Sequence, residues 1–419
     1  MTAASFLGYT GFTVVMPFLP LFIGELGVTD VAAQAAWAGV SLGVTPGLTA
    51  LLAPAWGRLG DKYGRKIMVE RSLASFVILM AAMALVTRAW HVLALRAVQG
   101  LFAGYGSLSV AMAAESAPRD QMPSSIGLVQ TAQRLGPGVG PVIGGILAGV
   151  LGLRKAFFVT AAFYAVGLVA VHLWYDDRAV HHPTRARGLT PDAGTDPEQE
   201  GLSPRAGSDP TSEGVDGGRV SFRDVLSFQN FILMMVVIFG LQFVDRSLGP
   251  VLPLYIAQVG VAESRVAIVS GVLFSIMAAT GALGHHLCGK LLRRYPARKV
   301  ITAGAAAAAL GGGALGVSGN LWVLNAASAV FGVGIGAAMT ASYSAAGSVI
   351  PAGAHGTSFG VLTSASLFGM AVSPFVAGLL AGTSIRAVFF VNLAIMGAAA
   401  TAVWRTMVDE RARERADVA

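Results

Sequence analysis

The chain has 419 residues, of which 54% are hydrophobic and only 12% charged, with a formal net charge of +7. Soluble domains carry about 25% charged residues, so composition excludes an ordinary water-soluble fold. A single cysteine, Cys288, excludes an intramolecular disulfide; no metal-ligand spacing and no Gly-x-x-x-x-Gly-Lys phosphate loop occurs, so no metal, no cofactor, no ATP drive and no enzyme are expected.

Apolar runs begin near residues 2, 35, 67, 91, 124, 155, 229, 264, 299, 321, 357 and 385. Each reaches roughly 20 residues, enough to cross ~30 Å of hydrocarbon as a helix. We number them spans 1–12. The expected fold is an all-α membrane protein of 12 transmembrane helices in two pseudosymmetric six-helix bundles, 1–175 and 229–408. A linker over 176–228 joins them and a tail follows over 409–419.

Span 1 starts almost at Met1, without a basic lead-in; the expectation is that the true start lies upstream. It also lacks the basic start and small-residue cleavage site of a signal peptide. Its end, Pro17-Phe-Leu-Pro-Leu-Phe-Ile-Gly-Glu-Leu-Gly-Val28, returns as Pro250-Val-Leu-Pro-Leu-Tyr-Ile-Ala-Gln-Val-Gly-Val261. Gly57-Arg-Leu-Gly-Asp-Lys-Tyr63 returns as Gly289-Lys-Leu-Leu-Arg-Arg-Tyr295, and Pro141 with Gly145 as Pro374 with Gly378, at an offset of 232 or 233. A chain built twice from one template places a pathway between its halves.

Span 2 carries Gly39, Gly43 and Gly47, spaced by four and so on one helical face. Small-residue stripes of this kind let helices approach closely in lipid. The loop after it, Gly57-Arg58-Leu59-Gly60-Asp61-Lys62-Tyr63-Gly64-Arg65-Lys66, combines turn-permitting glycines with cations and one acid, Asp61. A carboxylate there can accept hydrogen bonds from a helix N-terminus. Glu115, at the end of span 4, is expected to pair with Arg65 or Arg58 as a cytoplasmic gate; Glu70 and Arg71 are expected to be solvated. Span 5 has Gly136, Gly140 and Gly144, span 8 has Gly271, Ser275 and Ala279, and span 11 has Gly369, Ser373 and Ala377. These stripes predict two seams between the bundles, 5 against 8 and 2 against 11, with Pro141 bending span 5.

From Asp176 to Asp224 the chain holds five Pro, seven Gly and ten acids against six Arg, too polar to bury a core, and reads as a flexible tether. Of the 29 Lys and Arg, 21 fall in loops after even-numbered spans or in the tail, and five (Arg88, Arg154, Lys155, Arg265, Arg386) in the opposite loops. By the positive-inside rule the even loops and both termini are cytoplasmic. The net positive charge therefore reports topology, and no nucleic-acid partner is implied.

Three arginines and one acid remain deep within spans. Charges at mid-bilayer cost about 2.5–3.5 kcal/mol by insertion scales, so they face protein or water and mark function by default. Arg96 lies on span 4, Arg134 on span 5 and Asp245 with Arg246 on span 7. At about 100° per residue Arg134, with Gln130 beside it, points away from the glycine stripe and toward a cavity. Desolvation should raise the proton affinity of Asp245 and a nearby arginine should lower it, the competition a proton carrier needs. The alternative is a permanent Asp245–Arg pair that only joins helices. Gln99, Gln242, Tyr9, Asn325 and Tyr343 supply a sparse polar lining. His285 and His286, near the end of span 8, are expected at the interface.

The loop from Gly57 to Lys66 closely resembles the signature loop of the major facilitator superfamily. His91-Val-Leu-Ala-Leu-Arg96-Ala-Val-Gln99-Gly100 resembles its span-4 motif. Gly136-Pro-Gly-Val-Gly140-Pro141-Val-Ile-Gly144-Gly145 is similar to the span-5 motif of its drug:proton antiporters. The resemblance implies the major facilitator fold, alternating access and proton-driven export. It also implies that Asp61 docks near Gly356-Thr357-Ser358 in the outward-facing state. Two departures stand out: Arg293 replaces the acid and Pro296 replaces Gly64 in the second-half loop, and span 1 lacks a buried acid. The expected partners are a small-molecule substrate, protons and the lipid bilayer of a bacterial inner membrane, with the chain monomeric. With three buried arginines against one acid, neutral, zwitterionic or anionic amphiphiles suit the cavity better than dications. A transporter of one metabolite (a sugar or an organic acid) is the alternative, and a sensor without transport a third class.

Overall fold

The computed structural model describes residues 2–115, 122–175, 230–350 and 355–407. The expected linker 176–228 and the tail 409–419 lie outside the described residues. No β-strand occurs among the described residues. Nine helices there are long and apolar enough to cross a bilayer, and eleven spans result when two bent pairs are each counted as one.

Span 1 is Thr2–Val14 followed by Leu19–Glu25, bent by 49°, and span 7 is Phe231–Ser247 followed by Leu252–Gln258, bent by 44°. Both breaks fall at the repeated Pro-x-Leu-Pro. Pro17 and Pro250 have no N–H to donate and crowd the preceding turn, while Pro20 and Pro253 sit in the first turn of the second piece, where a missing donor costs nothing. Span 4 is Ala89–Phe102 plus Tyr105–Glu115, parted at Ala103-Gly104. Gly104 has φ +123, a conformation that disfavours any side chain, and a Cβ there would lie 3.1 Å from the Trp56 side chain. With spans 2 (Val31–Tyr63), 3 (Arg65–Leu85), 5 (Met122–Leu151), 6 (Leu153–Trp174), 8 (Glu263–Arg294), 9 (Ala297–Val317), 10 (Leu321–Ser348), 11 (His355–Leu380) and 12 (Ile385–Thr406), the total is twelve. Asp30, Asn320 and Ser384 cap spans 2, 10 and 12 by accepting from the backbone N–H of Ala33, Trp322 and Arg386.

Two cores result. One gathers Phe18, Phe22, Phe76, Phe157 and Tyr164 from the first six spans; the other gathers Tyr255, Phe274, Phe331 and Phe389 from the last six. Two alanines cross over: Ala35 of span 2 belongs to the second core and Ala267 of span 8 to the first. The bundles therefore meet along spans 2 and 11 and along spans 5 and 8.

The contacts at these seams correct the stripe reading for spans 5 and 11. Gly136, Gly140 and Gly144 do not face span 8. They pack on span 1 within their own bundle: a Cβ on Gly136 would lie 2.7 Å from the Thr10 nitrogen, Gly140 abuts Thr13 and Gly144 abuts the Val14 carbonyl. The seam is made one position further on, where Pro141 meets Gly271, Gly145 meets Ala267, and a Cβ on Gly149 would lie 2.8 Å from Ile268. Span 11 repeats the arrangement. Gly369 and Ser373 pack on Phe239 and Phe243 of span 7, while Ala371, Pro374 and Gly378 meet Gly43, Gly39 and Ala35 of span 2. A step of one residue turns a helix by about 100°, and both faces are lined by small residues. The pattern alone could not say which neighbour each face would take. The stripes of spans 2 and 8 do lie at the seams. Span 5 runs on as one helix through Pro137 and Pro141.

The loop between spans 2 and 3 is a single residue. Gly64 ends one helix and begins the next at φ 94, and its N–H donates to the Gly60 carbonyl at 3.0 Å. Lys66 donates to the carbonyls of His172 (3.1 Å) and Tyr175 (2.5 Å) at the C-terminal end of span 6. Glu70 and Arg71 are not the solvated pair expected. Glu70 sits 3.2 Å from His172 Nδ1, and Arg71 stacks 3.6 Å from the Trp56 ring centroid while donating to the Phe102 carbonyl. His285 likewise shares a hydrogen bond of 2.6 Å with Thr340 of span 10 and joins two helices.

Candidate functional site

Where the two seams leave room, a cleft opens between the bundles. It holds about 420 Å³ of atom-free space, open solvent included. Phe12 and Met16 come from span 1, Leu42 and Pro46 from span 2, and Arg96 from span 4; the second bundle supplies Arg246 from span 7 and Met370 with Pro374 from span 11. Both halves thus build one apolar chamber that carries two guanidinium groups.

Arg96 is 1% exposed. Its Nη1 donates to Gln99 Oε1 at 3.0 Å, whereas Nε and Nη2 have no hydrogen-bond partner. The segment is clamped by Thr45, whose hydroxyl donates to the Arg96 carbonyl at 2.8 Å, and by Gly100, where a Cβ would come 2.8 Å from the Thr45 carbonyl. The Tyr164 hydroxyl, also buried without a partner, stands close enough to interact with the guanidinium. An ordinary buried polar group left unpaired costs on the order of 1–3 kcal/mol, and a guanidinium N–H costs more because the group is charged.

Arg246 and Asp245 are neighbours in space as well as in sequence: Arg246 Nε lies 3.2 Å from Asp245 Oδ2. The approach is an ion pair by distance, but no hydrogen bond forms, and Nε has no aligned acceptor. Asp245 is 31% exposed and Arg246 27%, so the pair is only partly covered by protein. Counting back by the repeat offset of 233, Asp245 stands where the first half has Phe12, a cleft-lining residue. Arg246 lines the cleft, and Asp245 stands beside it.

The other expected polar residues divide. Gln99 joins Arg96. Gln242 donates to Ser366 at 2.9 Å, and Tyr343 hydrogen-bonds the same serine, a small network among spans 7, 10 and 11. Tyr9 stacks near Tyr105, with ring centroids 5.6 Å apart. Asn325 donates to the Leu321 carbonyl of its own helix at 2.9 Å, and Gln130 is exposed; neither lines the cleft. Arg134, Gly57, Asp61, Glu115 and the Gly356-Thr357 side of the expected docking contact are positions whose side-chain surroundings lie outside the described residues. The sequence reading missed Thr45 and Tyr164 as supports of Arg96, because a lone threonine or tyrosine in an apolar run carries no signal. It also missed Pro46 and Pro374 as cleft walls.

A family model described as Major Facilitator Superfamily matches residues 1–361 and 234–418. The chain belongs to the major facilitator superfamily. It is a multi-pass membrane protein of a transporter family, and not an enzyme. Curated relatives within the superfamily include "Multidrug resistance protein MdtG" of Yersinia enterocolitica, 29% identical over 298 residues. That match covers 71% of this chain and 65% of the relative. The protein of the same name from Dickeya zeae is 28% identical over 300 residues, covering 70% of this chain and 66% of the relative. The matched region spans just under two thirds of these relatives' length. Among solved structures, a bacterial homologue of the human lysosomal transporter Spinster, described as inward-facing and occupied, superposes with a TM-score of 0.73 at 17% identity, covering 97% of this chain and 96% of that one. A D-xylose–proton symporter superposes at 0.71 with 12% identity, covering 97% and 96%. At such identities the likeness is one of fold.

Proposed function

We propose that the chain is a secondary active transporter that exports amphipathic small molecules, drugs among them, in exchange for protons. The bundles rock about the two seams, so that the cleft faces each side of the membrane in turn. The observation that carries this reading is the cleft itself, apolar in most of its walls and built from both halves, with Arg246 in its wall and Asp245 beside that arginine. Cargo binds on Phe12, Met16, Leu42 and Met370, whose flexible or flat side chains accept varied apolar shapes. Asp245 carries the proton: protonation cancels its attraction to Arg246, and the freed guanidinium favours release of the proton on the other side. The loop from Gly57 to Lys66 with Glu115 forms the cytoplasmic gate, the basic even-numbered loops and both termini face the cytoplasm of a bacterial inner-membrane protein, and the chain works as a monomer. The multidrug-resistance relatives support export of drugs, and the sparse polar lining fits a sugar poorly.

The test replaces Asp245 by Asn in proteoliposomes. Export against a concentration gradient, driven by an imposed proton gradient, is expected to vanish while downhill exchange of cargo persists. Uphill export that continues unchanged in D245N would remove Asp245 from coupling.

A further inference from the structure

The coupling reading uses Asp245 and Arg246 and leaves the more deeply buried charge, Arg96, without a task. Its guanidinium is buried, charged at neutral pH, and lacks an acceptor for Nε and Nη2. Gln99 Nε2 and the Tyr164 hydroxyl beside it are orphaned as well, so donors cluster with too few acceptors. Arg246 differs, because a carboxylate stands 3.2 Å away and offsets its charge. The cleft therefore carries an uncompensated positive charge at its first-bundle wall, facing apolar surface from spans 1, 2 and 11.

We propose that Arg96 receives the carboxylate, or a like planar monoanionic head, of the cargo, whose apolar body lies along Phe12, Met16, Leu42 and Met370. This rests on the export reading and names its substrate class. A forked guanidinium matches two carboxylate oxygens, and the charge-assisted bonds gain strength where water is excluded. Gln99 holds Nη1 and so orients the fork, leaving Nε and Nη2 as the free edge. The anion's charge by itself favours a protonated Asp245. Exchange against a proton therefore requires that the loaded cleft cross the membrane only with Asp245 ionised.

Equilibrium binding to the purified full chain in nanodiscs tests this, with 1-naphthylacetate against its neutral isostere 1-naphthylacetamide. The acid is expected to bind at least about tenfold more tightly, and R96Q to remove that preference while the amide's affinity stays within about threefold. R96K should keep part of the preference. If R96Q fails to fold, the acid-to-amide ratio of the unaltered chain still decides, and R246Q should reduce the ratio only in part. Equal affinities in the unaltered chain, no measurable binding of either probe, or a preference that survives in R96Q overturns the proposal. D245N is expected to keep the preference, so its loss of uphill export with intact acid selectivity, or the reverse, shows which of the two readings has failed.

Discussion

Gly271 on span 8 is the sharpest point at which to disturb the machine. A Cβ there would lie 3.0 Å from the Pro141 carbonyl carbon and 3.3 Å from the Gly145 Cα, and closer still to the Pro141 carbonyl oxygen. These are backbone atoms, so no side chain can swing aside. In G271A the seam between spans 5 and 8 must open by roughly 0.5–1 Å, and overpacking of this sort costs about 1–3 kcal/mol. That penalty applies to the arrangement in which this contact is closed and is relieved when the bundles separate here. An energy of about 1–3 kcal/mol shifts a two-state population by roughly 5- to 150-fold. G144A makes the control, because the Val14 carbonyl it would strike lies within the first bundle and should be met in every arrangement. With Cys288 replaced by Ser, spin labels at positions 62 and 294, both exposed ends of spans 2 and 8, report the separation of the halves by pulsed electron resonance. G271A should change the distance distribution with little loss of melting temperature, and G144A should do the opposite. The same distribution for G271A and the unaltered chain, at equal stability, would refute the reasoning that backbone contact at the seam sets the population.

Two smaller predictions concern stability. Asn392 is buried and donates to the Ser247 hydroxyl at 2.7 Å, while that hydroxyl donates to the Val244 carbonyl at 2.8 Å and Asn392 Oδ1 has no partner. N392L, which removes the orphan with the bond, should change the unfolding free energy by less than about 1 kcal/mol, whereas S247A strands the amide and should cost about 1–3 kcal/mol. Denaturation of both variants in detergent checks the ordering. Lys66→Ala removes two carbonyl contacts at the end of span 6, partly exposed, and should cost about 0.5–1.5 kcal/mol. Hydrogen exchange over residues 170–175 should quicken in that variant, with the rest of the chain unaffected.

Much of the architecture is legible in the residues because lipid is a strict solvent. Each backbone group must be satisfied within a helix, so apolar runs of sufficient length convert directly into spans. The duplicated Pro-x-Leu-Pro locates both broken helices, and the offset between halves fixes which spans correspond. Gly104 breaks span 4 without comparable warning, since one glycine in an apolar run usually continues the helix. The stripes named in spans 2 and 8 do fall at the seams, although span 8 turns a second pair of glycines, Gly281 and Gly284, toward span 10. In spans 5 and 11 two small-residue faces also lie side by side, and the face read from the stripe is the one that packs within its own bundle. At the site, a charge in an apolar run announced Arg96, Arg246 and Asp245, because burying charge is costly. Which arginine the acid would join was open: adjacency along one helix gave Asp245 to Arg246 and left Arg96 without a counter-charge.

The two joints between the halves are not chemical copies. Where span 5 meets span 8, the Val142 N–H donates to the Ser275 hydroxyl at 3.1 Å, a polar bridge between polypeptide backbones that otherwise only touch. The corresponding place in the other joint pairs Phe375 with Gly43, which has no hydroxyl to offer. One joint is therefore held by a directional hydrogen bond where the other has close packing, so the two should differ in how readily they part.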